Sequence, residues 1–172
     1  MSNLGYIEIE QGKLDIKRMA TGRDLLKALQ AQSNGGGFIS SLIAEVCSLN
    51  DSPLSAETVE DFDAGVSLTI QDEIFESKEL VSVQVDTYPK SYLLGERKIE
   101  VIEPRKIKHD NKANRMSNGN LSAIAFWLIT FLIKIDDKAL RYDDLLDLPA
   151  GDVQALMPLV TPKKPKFVRV KI

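Results

Sequence analysis

The chain has 172 residues, 44% of them hydrophobic and 27% charged, with a net charge of −3; this excludes a disordered tail and permits one ordinary core or two small ones packed together. A single cysteine, Cys47, excludes an internal disulfide and suits a reducing compartment, and the opening MSNLGYIEIEQGK lacks the basic and apolar regions of a secretory signal. The most apolar run, LSAIAFWLITFLIKI at 121–135, is shorter than the roughly 20 residues a bilayer span needs, so it reads as a buried helix and no membrane association is expected.

Along the chain, YIEIE at 6–10 alternates apolar and acidic side chains, Gln11-Gly12 supplies a turn and KLDIKRM returns, which predicts a β-hairpin. Thr21-Gly22-Arg23-Asp24 has the form of a capping box before a helix carrying Leu25, Leu26 and Leu29. The next helix presents Phe38, Ile39, Leu42, Ile43, Val46 and Cys47 as one apolar stripe. Ser55 or Ser52 caps a short helix with Val59 and Phe62 inward, and Asp63-Ala64-Gly65 separates it from a further helix over VSLTIQDEIFES.

The second half follows the same plan. SYLLGERKIEVIEP predicts a hairpin, whereas RKIKHDNKANRM has almost no apolar stripe, so its helix is degenerate or exposed and His109 is expected at the surface. Asn120 caps the helix over 121–135. Tyr142, Leu145 and Leu146 supply a short helix, Leu148-Pro149 starts the last one, and Pro158 ends or kinks it. The tail TPKKPKFVRVKI begins as a basic linker and finishes as an edge strand.

Ser33-Asn34-Gly35 recurs as Ser117-Asn118-Gly119. A constant offset of 86 then pairs Leu49 with Ile135, Asn50 with Asp136, Asp51 with Asp137, Leu54 with Leu140, Asp61 with Asp147, Ala64 with Ala150 and Gly65 with Gly151. Upstream, Lys13-Leu14-Asp15-Ile16 matches Lys98-Ile99-Glu100-Val101, and Tyr6 lies 86 positions before Tyr92. The shared order predicts an internal duplication. The expected fold is α+β and mostly helical: two similar small modules, each a β-hairpin followed by a bundle of short helices, at 1–86 and 87–160, then a basic tail at 161–172. The halves differ in charge, −9 against +6, which can favour head-to-tail self-association or docking of the halves, or mark two unrelated solvated surfaces.

Candidate chemistry is sparse. Gly35-Gly36-Gly37 lacks the lysine and hydroxyl of a phosphate loop and reads as a turn. One histidine cannot build a histidine relay or metal pair, and Cys47 has no base nominated for it. Asp136, Asp137, Asp143, Asp144 and Asp147 lack calcium-loop spacing and read as caps. No catalytic residue, metal or cofactor is expected, and the chain reads as a non-enzymatic interaction protein. The basic stretch 105–115 and the terminal PKKPK raise a nucleic-acid-binding regulator as an alternative, against which stand the acidic chain and the absence of aromatics in that stretch. Phe126, Trp127 and Phe131, with Leu156 and Val160 on the last helix, are the candidate partner-binding residues; core packing and a groove for a partner helix are both open readings.

The order of a strand pair, I-K-R-M-A-T-G-R-D-L-L, short helices and L-P-A-G-D-V resembles the small tail assembly chaperones of contractile-tailed, Mu-like bacteriophages. The matching positions are Ile16 to Thr21 with Asp24, then Asp144-Leu145 through Leu148 with Asp152, covering residues 13–66 and again 98–160. The resemblance implies a factor of the host cell cytoplasm that binds the tape-measure protein, keeps it soluble and recruits tail-tube subunits in virion assembly. A structural component of the baseplate or tail is the alternative in the same setting.

Overall fold

The computed structural model describes residues 3–76 and 78–165; the edge strand expected in the tail lies outside them. The first hairpin is β1 (Gly5–Ile9) and β2 (Gly12–Ile16), with Ile9 opposite Gly12. Helices α1 (Gly22–Ser33) and α2 (Phe38–Val46) follow, then β3 (Cys47–Leu49), β4 (Ser52–Pro53), α3 (Ala56–Glu60) and α4 (Ala64–Ile74). The second half runs β5 (Leu80–Gln84), β6 (Lys90–Leu94), β7 (Arg97–Val101), α5 (Ile107–Met116), a 3₁₀ turn (Leu121–Ala123), α6 (Ile124–Leu132), β8 (Ile133–Ile135), β9 (Lys138–Ala139), α7 (Tyr142–Asp147) and α8 (Ala150–Val160). The described residues are thus α+β, with eight α-helices and two antiparallel sheets ordered β1-β2-β3-β4 and β5-β6-β7-β8-β9. No helix among them is long and apolar enough to cross a membrane.

Both long apolar helices stop earlier than their sequence predicts. Cys47 opens β3 instead of closing α2, and the run at 121–135 breaks into a 3₁₀ turn, a helix ending at Leu132 and a strand. The cause is a polar clamp. Asn50 and Asp51 (φ 48° and 62°), like Asp136 and Asp137 (φ 51° and 63°), hold the left-handed conformation that Asn and Asp tolerate better than most residues. Asn50 Oδ1 accepts the Lys13 N–H at 2.9 Å while its own N–H donates to the Lys13 carbonyl at 2.8 Å; Asp136 and Lys98 make the same two bonds at the same two distances. The chain leaving each helix is thereby folded onto the hairpin, where Cys47 pairs with Ile16 and Ile133 with Val101.

Other expectations also change. β5 falls within residues 1–86 yet pairs with β6, because its Leu-Val-Ser-Val pattern can extend the second hairpin, so the sheets part before residue 80. Strand register sets Tyr92 opposite Ile99 and Ile7, not Tyr6, opposite Leu14; the offset in the hairpins is therefore 85, and the two tyrosines lie on opposite faces. The stretch 107–116 is a helix with His109 and Ala113 buried, which corrects the expected surface position of His109. Pro158 lies inside α8, which runs on to Val160.

The core follows the same spacing. Leu42, Ile43 and Val46 on α2, like Leu128, Ile129 and Leu132 on α6, are at most 2% exposed, and Val59, Ile70 and Ile74 are buried as are Leu145, Leu156 and Val160. The sheets share no strand. The halves meet where α1 lies on α7, α8 and the 3₁₀ turn: the Gly22 N–H donates to the Leu148 carbonyl (2.8 Å) and the Ala150 N–H to the Ala20 carbonyl (2.9 Å). Gly22 is required by proximity, because a Cβ there would stand 2.5 Å from the Leu145 carbonyl oxygen and 3.1 Å from Val153 Cγ2.

Asp136→Ala removes the clamp's acceptor and leaves alanine in a left-handed conformation. The expected cost is about 2 kcal/mol, read as a lower urea midpoint with unchanged slope; a change within error would mean that the clamp does not hold the turn.

Candidate functional site

Among the described residues no three His, Cys, Asp or Glu side chains converge as a metal site would require. Cys47 is buried at the start of β3, and burial pushes its thiol up to about 12, so at neutral pH it is a thiol, not a nucleophilic thiolate. Gly35-Gly36-Gly37 joins α1 to α2, with Gly35 at φ 87°, as turn chemistry requires. Asp136 and Asp137 form the clamp turn, Asp144 pairs with Arg141 and Asp147 with Arg23. A cleft of about 620 Å³ where α2, α4 and α8 meet is lined by Phe38, Gln71, Asp72, Phe75, Glu76 and Gln154.

The amino ends of α1 and α5 carry similar caps in which the acidic and basic residue types are exchanged. In the first half Arg18 grips the buried Asp24 through two nitrogens, at 2.5 and 2.9 Å, while Asp24 Oδ2 accepts the Thr21 N–H and hydroxyl, each at 2.9 Å. At positions 85 further on, the acid is replaced by a base and the base by an acid: the buried His109 accepts the Lys106 N–H on Nδ1 at 2.9 Å and faces Glu103 across 3.0 Å through Nε2. The first bond leaves the ring proton on Nε2, which donates to Glu103. Burial pushes the Asp24 carboxyl up, yet the bonds from Arg18 and Thr21 outweigh it and hold it below the usual carboxylate range. The His109 bond is the first cause lowering Glu103.

The five candidate partner-binding residues divide into two groups. Phe126, Leu156 and Val160 are at most 3% exposed and belong to the core of this chain, so they do not line a surface groove. Trp127 and Phe131 are half-buried on the outer side of α6, their centroids 6.1 Å apart. The structure adds Tyr142, read from sequence only as part of a short helix; its ring stacks on Trp127 at 4.1 Å and 16°. Lys112 on α5 caps the cluster, its ammonium 4.4 Å from the Phe131 centroid. Burial raises the Tyr142 phenol, the nearby Arg23 opposing, so that the ring stays neutral at physiological pH.

The first half has nothing comparable. Offset by 86, Trp127 answers to Ser41, Phe131 to Glu45 and Tyr142 to Ala56. Lys27, 85 positions before Lys112, pairs with Glu45 at 2.9 Å, so a cation rests on a carboxylate there and on an aromatic face at Lys112. The first half carries no aromatics at these positions, whereas in the second Trp127, Phe131 and Tyr142 pack against the core and stay partly exposed.

Because folding lowers the Asp24 pKa, its contribution to stability is full above the unfolded carboxyl pKa of about 3.9 and is lost as pH falls through the lower folded value. Stability should fall between about pH 5 and 3, and Asp24→Asn should make that fall smaller in urea titrations at the two pH values; an identical fall would remove Asp24 from the acid response. No protein-family model matches the chain, nor does any curated protein or solved structure.

Proposed function

We propose that the chain is a tandem duplication of one small α+β unit and acts as a non-enzymatic tail assembly chaperone of a contractile-tailed bacteriophage. The duplication is supported by the element order, clamp turn, cap and buried positions that recur 85 or 86 residues apart. Its proposed partner is the long helical tape-measure protein, whose apolar surface must be covered before the tube surrounds it, and its proposed second role is recruitment of tail-tube subunits in the host cytoplasm.

The observation that carries this reading is the aromatic surface of Trp127, Phe131 and Tyr142, present in the second half only. Stacked rings offer rigid apolar area at low entropic cost, and Lys112 beside them adds a cation. One wall of a helix-binding surface needs these two features. The division of labour follows: both units supply the scaffold, and the second supplies the contact.

The test is co-expression with the phage's tape-measure protein and the double substitution Trp127→Ser with Tyr142→Ala, which installs the residues of the first half. Because those residues are compatible with the same backbone, the variant is expected to stay folded, while capture of the tape-measure protein falls about tenfold or more. Unchanged capture would remove the aromatic surface from the interface. Mass spectrometry of purified virions tests the role itself: a chaperone is absent from them, and retention at stoichiometric levels would favour a structural part of the baseplate or tail.

A further inference from the structure

The contact between the halves is head-to-tail. α1 of the first half lies on α7 and α8 of the second, whereas α5 packs on α6 and the α3–α4 corner packs on α2, each within its own half. The two matching surfaces are therefore left over at opposite ends of the chain, and a head-to-tail contact that does not close can add copies without limit. Counterpart positions are fixed by the geometry. Thr21 and Lys106 are the residues before α1 and α5, Ala28 and Ala113 are both fully buried, and α4 and α8 begin and end 86 residues apart.

At these counterparts the contact surface has been replaced. Gly22, which lets α1 approach the Leu145 carbonyl, becomes Ile107, 77% exposed. On the same helix face Leu26 and Leu29 become the exposed Asn111 and Asn114. Across the seam, Leu146 and Val153 become Glu60 and Ser67. We infer that the outer faces of α5 and of the α3–α4 corner are end caps that hold the array at two units, barring a second copy of this chain from docking in the register the halves use internally. Apart from Ile107, which acts by bulk, the replacements at these positions are polar, as a stacked repeat requires at its termini.

Charge alone would favour growth, since Lys108 and Asp61 stand where Arg23 and Asp147 pair at 3.3 Å. Exposed ion pairs contribute little and are screened by salt. A side chain in Gly22's place meets a backbone carbonyl at 2.5 Å, which cannot swing aside, so the steric term decides. The inference rests on the tandem reading and not on the tail-assembly role.

The test is a five-substitution variant of the full chain, Ile107→Gly, Asn111→Leu, Asn114→Leu, Glu60→Leu and Ser67→Val. Light scattering at micromolar concentration should show a ladder of dimers, trimers and longer species that survives high salt. The added pair Lys108→Cys and Asp61→Cys should cross-link copies in that background and not in the native one, the buried Cys47 standing apart. A variant without a ladder, or equal cross-linking in the native background, overturns the inference. Gly22→Ile separates this failure from failure of the tandem reading: it should reduce intrachain cross-linking of Arg23→Cys to Asp147→Cys about tenfold with helix content retained. If the seam tolerates Gly22→Ile, the counterpart assignment is wrong; if the seam opens and the five-substitution variant still does not assemble, only the capping is wrong.

Discussion

One side-chain oxygen accepting one backbone N–H decides how each half closes. Asn50 and Asp136 take the amides of Lys13 and Lys98, and to do so they hold the left-handed turn that follows β3 or β8, one short strand beyond the end of the helix. That short strand must then lie on the hairpin, which brings the apolar stripe of α2 or α6 over the inner face of the sheet. Leu14, Ile16, Leu42 and Ile43 are buried by that closure in one half, and Ile99, Val101, Leu128 and Ile129 in the other. The position of α7 and α8 depends in turn on where β9 ends, and with it the seam at Gly22.

The parts of the fold legible in the sequence were those encoded by contiguous residues. Alternation in YIEIE and KLDI announced the hairpin, and Thr21 with Asp24 announced the start of α1. Of the two serines read as caps, Ser55 caps α3, and Asn120, read as the cap of a helix over 121–135, caps the 3₁₀ turn that opens that run. What was missed depends on partners distant in sequence. Ile133-Lys134-Ile135 looks like the last turn of an apolar helix until β7 lies beside it, and Leu80–Gln84, given no element from sequence, is a strand only because β6 lies beside it. His109 looked exposed among lysines because its partner, Glu103, precedes the helix.

The candidate surface was half legible for a related reason. Phe126, Trp127 and Phe131 stood out by size, but a helix apolar on nearly every side gives no period by which to tell inside from outside. Only packing assigns Phe126 to the fully buried core and leaves Trp127 partly exposed at its edge, and only the fold brings Tyr142 from the next helix onto Trp127. Under the proposed duplication, Ser41, Glu45 and Ala56 occupy the positions of Trp127, Phe131 and Tyr142 and supply a comparison that periodicity could not. The two caps carry a similar lesson. Asp24 held by Arg18 and His109 held by Glu103 each accept the amide of the residue before the helix, so an acceptor fixed by an outer partner is what the helix end demands.

The chain has one cysteine and one tryptophan, and they fall on opposite sides of the seam. Cys47 is buried at the start of β3 in the first sheet, while Trp127 is half-buried and stacked on Tyr142 in the second half. Alkylation of the thiol therefore counts openings of the amino-terminal half, and indole emission follows the carboxy-terminal half alone. The molecule holds two built-in reporters, one kinetic and one optical, through which loosening of either partner can be timed without any label.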